Sequence, residues 1–448
     1  MCKFTRFWQG KLYKSFGLFE WCDICIEWKN KEKKKPLIIF GARQVGKTYL
    51  VEQFAKENYD YFYSINFEFD KDAKELFSGN LDIKTLLLQL SSYKTNTPIK
   101  EGKTLIFFDE VQKCPQVLTS LKSFALDGRF DVICSGSMLG IIMPDVSSYP
   151  VGYVETLQMR PMSFKEFLWA NGHSEEQIMM YKQYYDKEKP FPEGLHNTLN
   201  KMFLHYIVVG GMPEAVLTYI NTFNIYDVLE VQKRIIGDYK NDIAKYASKT
   251  TREKARECFE SIPDQLAKDN KKFQYKVVKQ GGTARTYGNS LGWIVDAGLG
   301  IKVVKLKSFD IPLRAYRDPN AFKFYLNDTG LLLAFYKENV SYEIINGNLG
   351  IFKGGIFENV IAQCLIDNGL DIYYYQKSDN LEIDFVTYIG NKIIPIEVKS
   401  GRNTKGISIK NIVEKEKLEY GIIFSMNNIN CNNPNVKFLP LYTVIFVK

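Results

Sequence analysis

The sequence predicts an α/β protein with more than one domain: a parallel sheet, a helical region, and then a second α/β domain. Three observations support this. The chain has 448 residues, which is too long for one hydrophobic core and suggests two to four domains. Between residues 36 and 140, short apolar runs alternate with helical periodicity, which is typical of a parallel sheet covered on both faces. A new alternation of this kind begins near residue 320.

The composition is that of an ordinary globular protein. Hydrophobic residues make up 45% of the chain and charged residues 25%, and the formal net charge is +8. This charge permits contact with nucleic acid without requiring it. No apolar run reaches the length of a membrane span, and the scattered cysteines suit a reducing compartment. We therefore expect a cytoplasmic protein with no membrane contact.

The first strand and helix enclose a glycine-rich loop. The apolar run 37–40 predicts a strand, and the periodicity of 48–57 predicts a helix. Between them lies a Gly-x4-Gly-Lys-Thr motif, formed by Gly41, Ala42, Arg43, Gln44, Val45, Gly46, Lys47 and Thr48. A loop between a strand and a helix can point its backbone N–H groups and the helix dipole at a phosphate. The alternative is a glycine turn with a surface lysine, which would not need a strand before it and a helix after it. The motif predicts ATP binding, with Lys47 on the β- and γ-phosphates and Thr48 on Mg²⁺.

A pair of carboxylates supplies the second half of the predicted site. The apolar run 105–108 ends in Asp109 and Glu110. We expect Asp109 to hold Mg²⁺ and Glu110 to polarise the attacking water, which predicts hydrolysis as well as binding. An Asp-Glu pair is also a common turn, but here it is in register with the phosphate loop.

Three further side chains are candidates with open alternatives. Ser135 opens the Ser-Gly-Ser segment 135–137 and is placed either to sense the γ-phosphate or to terminate a strand. Arg129 and Arg160 are candidates for a cationic finger that neutralises transition-state charge, although a surface role is favoured for each.

The middle of the chain predicts helices. Residues 171–250 are interpreted as a helical linker or lid. Residues 251–318 combine short helices with a strand-like run at 300–305, an arrangement that resembles a winged helix.

The last part of the chain carries a second acidic constellation. Glu358 lies on a predicted helix, Asp384 ends a strand, and Glu397 and Lys399 share one face of the next strand. This pattern resembles the restriction-endonuclease-like fold. It predicts that Glu358, Asp384 and Glu397 ligate Mg²⁺, while Lys399 positions water or stabilises charge at a phosphate. The alternative is a degenerate fold of this kind that only binds.

The phosphate loop and the Asp-Glu pair resemble those of the AAA-type ATPases, and three longer segments extend this resemblance. They are 160–167 (Arg-Pro-Met-Ser-Phe-Lys-Glu-Phe), 210–214 (Gly-Gly-Met-Pro-Glu) and 323–331 (Lys-Phe-Tyr-Leu-Asn-Asp-Thr-Gly-Leu). They are similar to segments of a prokaryotic family that fuses an AAA-type core to a C-terminal domain of unknown function, of the DUF4143 type. The resemblance implies an AAA-type domain at 1–170, a restriction-endonuclease-like domain at 319–448, and a further strand between the phosphate-loop strand and the Asp-Glu strand.

These features together predict an Mg²⁺-dependent, ATP-hydrolysing AAA-type ATPase. Its nuclease-like C-terminal domain is expected to contact DNA or a protein partner, and self-assembly remains open. The alternative is a non-cleaving, ATP-dependent regulatory or defence-signalling binding protein.

Overall fold

The computed structural model describes most of the chain, in two compact units. One unit comprises Leu18–Arg160 with Asp296–Gly298, and the other comprises Pro161–Val295 and Leu299–Lys448. We call them the first and second units. The described residues are 19–137, 150–336, 338–348, 354–378, 381–400 and 406–448. No helix within these ranges is long and apolar enough to span a membrane.

The first unit is built on a five-stranded parallel sheet. Its strands are β1 (Leu37–Phe40), β2 (Tyr61–Asn66), β3 (Thr104–Asp109), β4 (Asp131–Gly136) and β5 (Glu155–Gln158). They are arranged in the order β2-β3-β4-β1-β5, and every neighbouring pair is parallel. The strand β4 therefore separates β1 from β3, as the family resemblance implied. Because all five strands run the same way, their carboxyl ends meet at one edge of the sheet.

In the described part of this unit, four helices accompany the sheet. They are α1 (Phe19–Lys29), α2 (Lys47–Asn58), α3 (Ile83–Tyr93) and α4 (Gln116–Asp127), with short 3-10 turns at Asp72–Phe77 and Val111–Lys113. The strand β3 is buried along its whole length, which explains why its sequence is a continuous apolar run. The helix α2 buries Leu50, Val51 and Phe54, so its apolar spacing places one face in the core.

The second unit begins with a helical region, as predicted. Its helices are α5 (Phe164–Ala170), α6 (Glu175–Asp186), α7 (Glu193–Val209), α8 (Pro213–Thr222), α9 (Ile225–Tyr246), α10 (Lys249–Leu266), α11 (Tyr275–Val278) and α12 (Ala284–Asp296). A capping box starts α5, because Ser163 accepts from the Glu166 backbone and the Glu166 side chain accepts from the Ser163 backbone.

An eight-stranded mixed sheet completes the second unit. Its order is β12-β13-β11-β10-β9-β8-β6-β7. The strands are β6 (Gly300–Leu306), β7 (Arg317–Leu326), β8 (Tyr373–Ser378), β9 (Leu381–Ile389), β10 (Lys392–Val398), β11 (Gly421–Ser425), β12 (Asn430–Asn433) and β13 (Val436–Pro440). The helices among them are α13 (Thr329–Ala334), α14 (Glu338–Ile345), α15 (Gly354–Asp367) and α16 (Ile407–Lys415), followed by a 3-10 turn at Leu441–Phe446.

The hairpin of β6 and β7 belongs to this sheet. The strand β6 pairs antiparallel with β7 and parallel with β8. A domain boundary between residues 318 and 319 would therefore cut β7 near its start. The division into four domains at the predicted positions remains a prediction.

Hydrogen bonds join the three segments that carry the family resemblance. The Met162 backbone N–H donates to the Gly211 carbonyl at 2.7 Å. The Gly211 N–H donates to the Asp328 carboxylate at 2.6 Å, and Tyr206 donates its hydroxyl to the Met162 carbonyl at 2.8 Å. A Cβ at position 211 would lie 2.1 Å from the Met162 carbonyl oxygen, so glycine is needed there for close approach of two backbones.

We expect Gly211→Ala to destabilise the second unit by about 3 kcal/mol, because the clash is with backbone and cannot be relieved by turning a side chain. Gly237→Ala is the matched control: Gly237 lies inside α9 and a Cβ there meets nothing within 4 Å. The control should gain about 0.5–1 kcal/mol from better helix propensity. Thermal unfolding of both variants measures the difference, and equal midpoints would contradict the close-contact explanation.

Candidate functional site

The phosphate loop connects the carboxyl end of β1 to the first turn of α2. Gly41 takes a φ of 152° and approaches the Met159 carbonyl so closely that a Cβ would lie 2.0 Å from it. Gln44 and Gly46 also have positive φ values, 66° and 98°. The Lys47 Nζ donates to the carbonyls of Ala42 at 2.7 Å and Gly41 at 3.1 Å. The loop therefore curls around the N-terminus of α2 with its lysine folded over it.

Asp109 ties the ends of the neighbouring strands to this loop. Its Oδ2 accepts from the Thr48 hydroxyl at 2.9 Å and from the Asn66 amide at 2.8 Å. Its Oδ1 accepts from the Ser135 hydroxyl. The Asp109 side chain is almost fully buried, at 2% exposure. The structure thus brings together Thr48, Asp109 and Ser135, which were predicted separately.

Asn66 is a site residue that sequence reasoning missed. It is the last residue of β2, which pairs with β3 so that Asn66 stands opposite Asp109. A polar residue at the carboxyl end of a predicted strand was the available signal, since strand ends of one parallel sheet meet at one edge.

Glu110 is held in an unusual backbone conformation. Its φ of 56° places it in the left-handed region, which is uncommon for a residue other than glycine. Its carboxylate accepts from the Gln112 amide and lies 3.5 Å from the Ser137 hydroxyl, and Gln112 also bonds Ser137 at 3.0 Å. Gln112 is a second residue that sequence reasoning missed. These contacts fix the Glu110 side chain beside Asp109.

The oxygen ligands at this edge of the parallel sheet are suited to Mg²⁺ bound together with a phosphate. Magnesium is usually held by one or two protein oxygens and by substrate phosphates, with waters completing an octahedron. Two oxygens suitable as metal ligands, from the Thr48 hydroxyl and the Asp109 carboxylate, lie 2.9 Å apart. They lie beside the N-terminus of a 12-residue helix. The arrangement can bind a nucleotide phosphate and hold a carboxylate close to it.

The two candidate arginines lie at different ends of the strands. Arg129 precedes β4, at its amino end, and makes a two-point ion pair with Asp127 that lowers the pKa of Asp127. The phosphate loop lies at the carboxyl ends, so Arg129 is placed away from the phosphate loop of its own chain. Arg160 follows β5 at the carboxyl end, with its guanidinium 3.4 Å from the Gln158 amide oxygen.

In the second unit, Glu358 is surrounded by cations. Its Oε1 lies 2.8 Å from the Lys271 Nζ, and its Oε2 lies 3.1 Å from the Lys323 Nζ. The Tyr325 hydroxyl also donates to Oε2, at 2.8 Å. Burial alone would raise the pKa of Glu358, but the positive charges of Lys323 and then Lys271 outweigh it and lower that pKa to about 2.

Asp384 and Glu382 approach the same lysine from β9. The Lys323 Nζ lies 2.6 Å from Glu382 Oε1 and 3.5 Å from Asp384 Oδ1. The other oxygen of Asp384 accepts from the Val398 backbone at 2.8 Å. Burial, followed by the negative charge of Glu358, raises the pKa of Asp384 to about 7.

Glu397 and Lys399 pair with each other. Their ion pair joins Glu397 Oε1 to the Lys399 Nζ. The register of β9 and β10 pairs Ile396, which precedes Glu397, with Phe385, which follows Asp384. Glu397 is nearly buried, while the Lys399 side chain is 36% exposed. The structure thus places Lys399 at the end of the strand that the sequence predicted.

In this structure, groups of the chain itself engage the three carboxylates that were predicted to hold a metal ion. Over the described ranges, no group of three acidic, histidine or cysteine side chains is arranged to hold a metal ion. The physical reason is Lys323, whose ammonium lies between Glu358 and Asp384. Glu358, Asp384 and Glu397 thus make ion pairs and hydrogen bonds with the chain's own groups, and their role as metal ligands remains a prediction.

Comparison with protein families supports the ATPase assignment. Residues 33–168 match a family described as an AAA domain. Residues 353–444 match a domain of unknown function, DUF4143, and residues 200–341 match another, DUF8612. The predicted combination of an AAA-type P-loop domain with a C-terminal DUF4143 domain is therefore confirmed.

Two similar proteins are both described as uncharacterized. The chain is 28% identical over 210 residues to the uncharacterized protein MJ1544 of Methanocaldococcus jannaschii, across 47% of this chain and 41% of that protein. It thus spans about two fifths of that relative's length. It is 23% identical over 381 residues to an uncharacterized protein of Haemophilus influenzae, covering 81% of each.

Two solved structures show distant likeness to this chain. A Walker-type ATPase of Pyrococcus abyssi has a TM-score of 0.42 and 14% identity, with 71% of this chain and 95% of that chain covered. The Aeropyrum pernix ORC1 protein, solved in complex with DNA, has a TM-score of 0.27 and 11% identity, with 73% and 93% covered. Scores this low say nothing about what the present chain binds.

Proposed function

We propose that the first unit hydrolyses ATP with Mg²⁺ and that this reaction switches a DNA-contacting second unit. The observation that carries the proposal is the direct hydrogen bond between Thr48 and Asp109, with Glu110 held beside it. These are the parts that phosphoryl transfer to water needs: a phosphate cradle, a metal position and a water-positioning carboxylate.

Each residue has a separate role in the proposed reaction. The backbone N–H groups of 41–48 and the N-terminus of α2 bind the phosphates, and the Lys47 ammonium neutralises their charge. Thr48 and Asp109 would hold Mg²⁺, which stabilises the charge that develops between the β- and γ-phosphates. Glu110 orients the attacking water and accepts its proton. Ser135 and Asn66 keep the Asp109 carboxylate in place through their hydrogen bonds.

The DNA-contacting surface is proposed at residues 268–285. This segment has six Lys or Arg residues and one acidic residue, Asp269. It contains α11, a turn at Gly281 and Gly282, and the start of α12. Lys276 and Arg285 are exposed, and the described residues form no ion pair with either. The exposed positions of α12 are small or polar, which would allow close approach of a helix to a groove.

We expect charge reversal at Lys276 and Arg285 (Lys276→Glu with Arg285→Glu) to weaken binding of a duplex oligonucleotide about tenfold, since two phosphate contacts become repulsive. The slope of log affinity against log salt should fall by about 2. Fluorescence anisotropy in the presence of Mg²⁺-ATP measures both quantities.

The matched control is Lys187→Glu combined with Lys189→Glu. These exposed lysines follow α6, and the pair changes the net charge by the same amount. Equal affinity of the two double variants would contradict a DNA surface at 268–285. ATP hydrolysis by the wild type, with and without DNA, then tests whether the two activities are coupled.

A second candidate is an ATP-dependent regulatory protein whose second unit binds a protein partner, or further copies of the chain, and cuts nothing. The observation that favours a non-cleaving second unit is the engagement of Glu358 by Lys271 and Lys323. ATP hydrolysis that is unaffected by DNA, together with no duplex binding by the wild type, would select this candidate.

A further inference from the structure

The carboxylate cluster of the second unit is built around a lysine. Glu358 comes from α15, while Glu382 and Asp384 come from alternate positions of β9 and share one face. The Lys323 Nζ lies within 2.6 to 3.5 Å of one oxygen from each of them. An ammonium has three donors, and here three carboxylates face it.

Lys323 is almost fully buried in this position. The residue is 1% exposed, its strand β7 lies against β6 in the sheet, and the Tyr374 ring stands 5.3 Å from the Nζ. A buried ammonium is costly unless it is paired and hydrogen bonded. The three carboxylates provide that pairing, and Lys323 in turn neutralises acids that would otherwise repel one another.

A divalent ion would have to compete with this lysine. Magnesium requires oxygen ligands at about 2.0–2.1 Å in a nearly octahedral arrangement. The Nζ fills the space between Glu358 and Asp384, and Lys271 adds a second positive charge 2.8 Å from Glu358. A divalent ion would therefore be repelled by two ammonium groups beside the carboxylates that would have to bind it.

We propose that Lys323 is a resident cation that replaces a divalent metal in this cluster, so that the second unit holds its acidic side chains together without metal. The cluster binds Mg²⁺ or Mn²⁺ only when that ammonium is removed. This property is independent of ATP hydrolysis in the first unit.

The test compares Lys323→Ala with Lys271→Ala in the full-length protein without nucleotide. Both substitutions remove one positive charge and one ion pair to Glu358, but only the first vacates the space between Glu358 and Asp384. Titration with Mn²⁺, followed by calorimetry and by the electron paramagnetic resonance signal of free Mn²⁺, counts the bound ions. Thermal unfolding in EDTA and in Mn²⁺ reports whether the ion stabilises the fold.

We expect Lys323→Ala to bind one more Mn²⁺ ion than the wild type and Lys271→Ala to bind none beyond the wild type. Lys323→Ala should unfold at a lower temperature than the wild type in EDTA and regain part of that loss in Mn²⁺. Adding Glu358→Gln to Lys323→Ala should abolish the additional ion, which assigns it to this cluster.

Two results would overturn the proposal. One is a Mn²⁺ ion bound by the wild type that Asp384→Asn removes, because the lysine would then coexist with a metal. The other is a folded Lys323→Ala protein with no additional ion. If Lys323→Ala does not fold, Lys323→Met keeps most of the apolar side chain but lacks the terminal ammonium, and it is judged by the same count. The comparison of the wild type with Asp384→Asn does not require any Lys323 variant to fold.

Discussion

Lys47→Ala should weaken ATP binding at least about a hundredfold. The ammonium donates charge-assisted hydrogen bonds to the phosphates, and each such bond contributes about 1.5–3 kcal/mol. The loss of two such bonds therefore costs at least about 3 kcal/mol. Because about 1.4 kcal/mol corresponds to a factor of ten in affinity, this loss corresponds to a factor of at least about a hundred. In the structure the same ammonium reaches two carbonyls of the loop, so it is already positioned over the phosphate cradle. Titration calorimetry with Mg²⁺ and a non-hydrolysable ATP analogue measures the change.

Lys56→Ala is the control for this substitution. Lys56 lies in the same helix, α2, but is exposed, so its removal changes the net charge equally without touching the loop. Its ATP affinity should equal that of the wild type. Unchanged affinity of Lys47→Ala, in a protein with wild-type thermal stability, would remove the phosphate-loop assignment.

Glu110→Gln should leave ATP binding intact and slow hydrolysis by a factor of at least about a hundred, the usual scale for a positioned general base. The amide has nearly the same shape as the carboxylate, so the contacts with Gln112 and Ser137 can persist. What is lost is the ability to accept a proton from water. Phosphate release at saturating ATP gives the turnover, and calorimetry gives the affinity.

Glu57→Gln, an exposed position in α2, is the isosteric control and should hydrolyse ATP at the wild-type rate. Wild-type turnover by Glu110→Gln would mean that another group orients the water. If both affinity and turnover fell together, Glu110 would instead be required for the shape of the strand end, where its backbone is left-handed.

The first unit was largely predictable because its signals are local. The strand at 37–40, the loop at 41–48 and the Asp-Glu strand end are each contained in a few consecutive residues. The shared edge of the sheet then follows from the rule that carboxyl ends of parallel strands meet. The contact between Thr48 and Asp109 joins residues 61 positions apart, yet it needed no information beyond that rule.

The acidic cluster of the second unit was not predictable in the same way. Two of its acids, Glu358 and Asp384, were singled out from the sequence, but Glu382 and the lysine that pairs with all three were not. Lys323 lies 35 positions before Glu358, on β7, which β6 and β8 separate from β9 in the sheet. Its side chain nevertheless reaches Glu382 and Asp384 of β9, which chain order alone does not indicate. A sequence motif of acids predicts that some cation must be present, and it does not say whether the cation is a metal or a lysine.

The position of β6 in the sheet also limits where the chain can be cut into fragments that fold. The matched regions 200–341 and 353–444 contribute strands to one sheet, and the link between them is the parallel pairing of 304–306 with 373–375. A fragment that begins after β7 would leave β8 as an open edge with unpaired N–H and C=O groups, which invites aggregation. Folding must also close a loop of nearly seventy residues to form that pairing, so its rate depends on a distant contact and not on local propensity. The two matched regions are therefore separate in sequence comparison but form one folding unit.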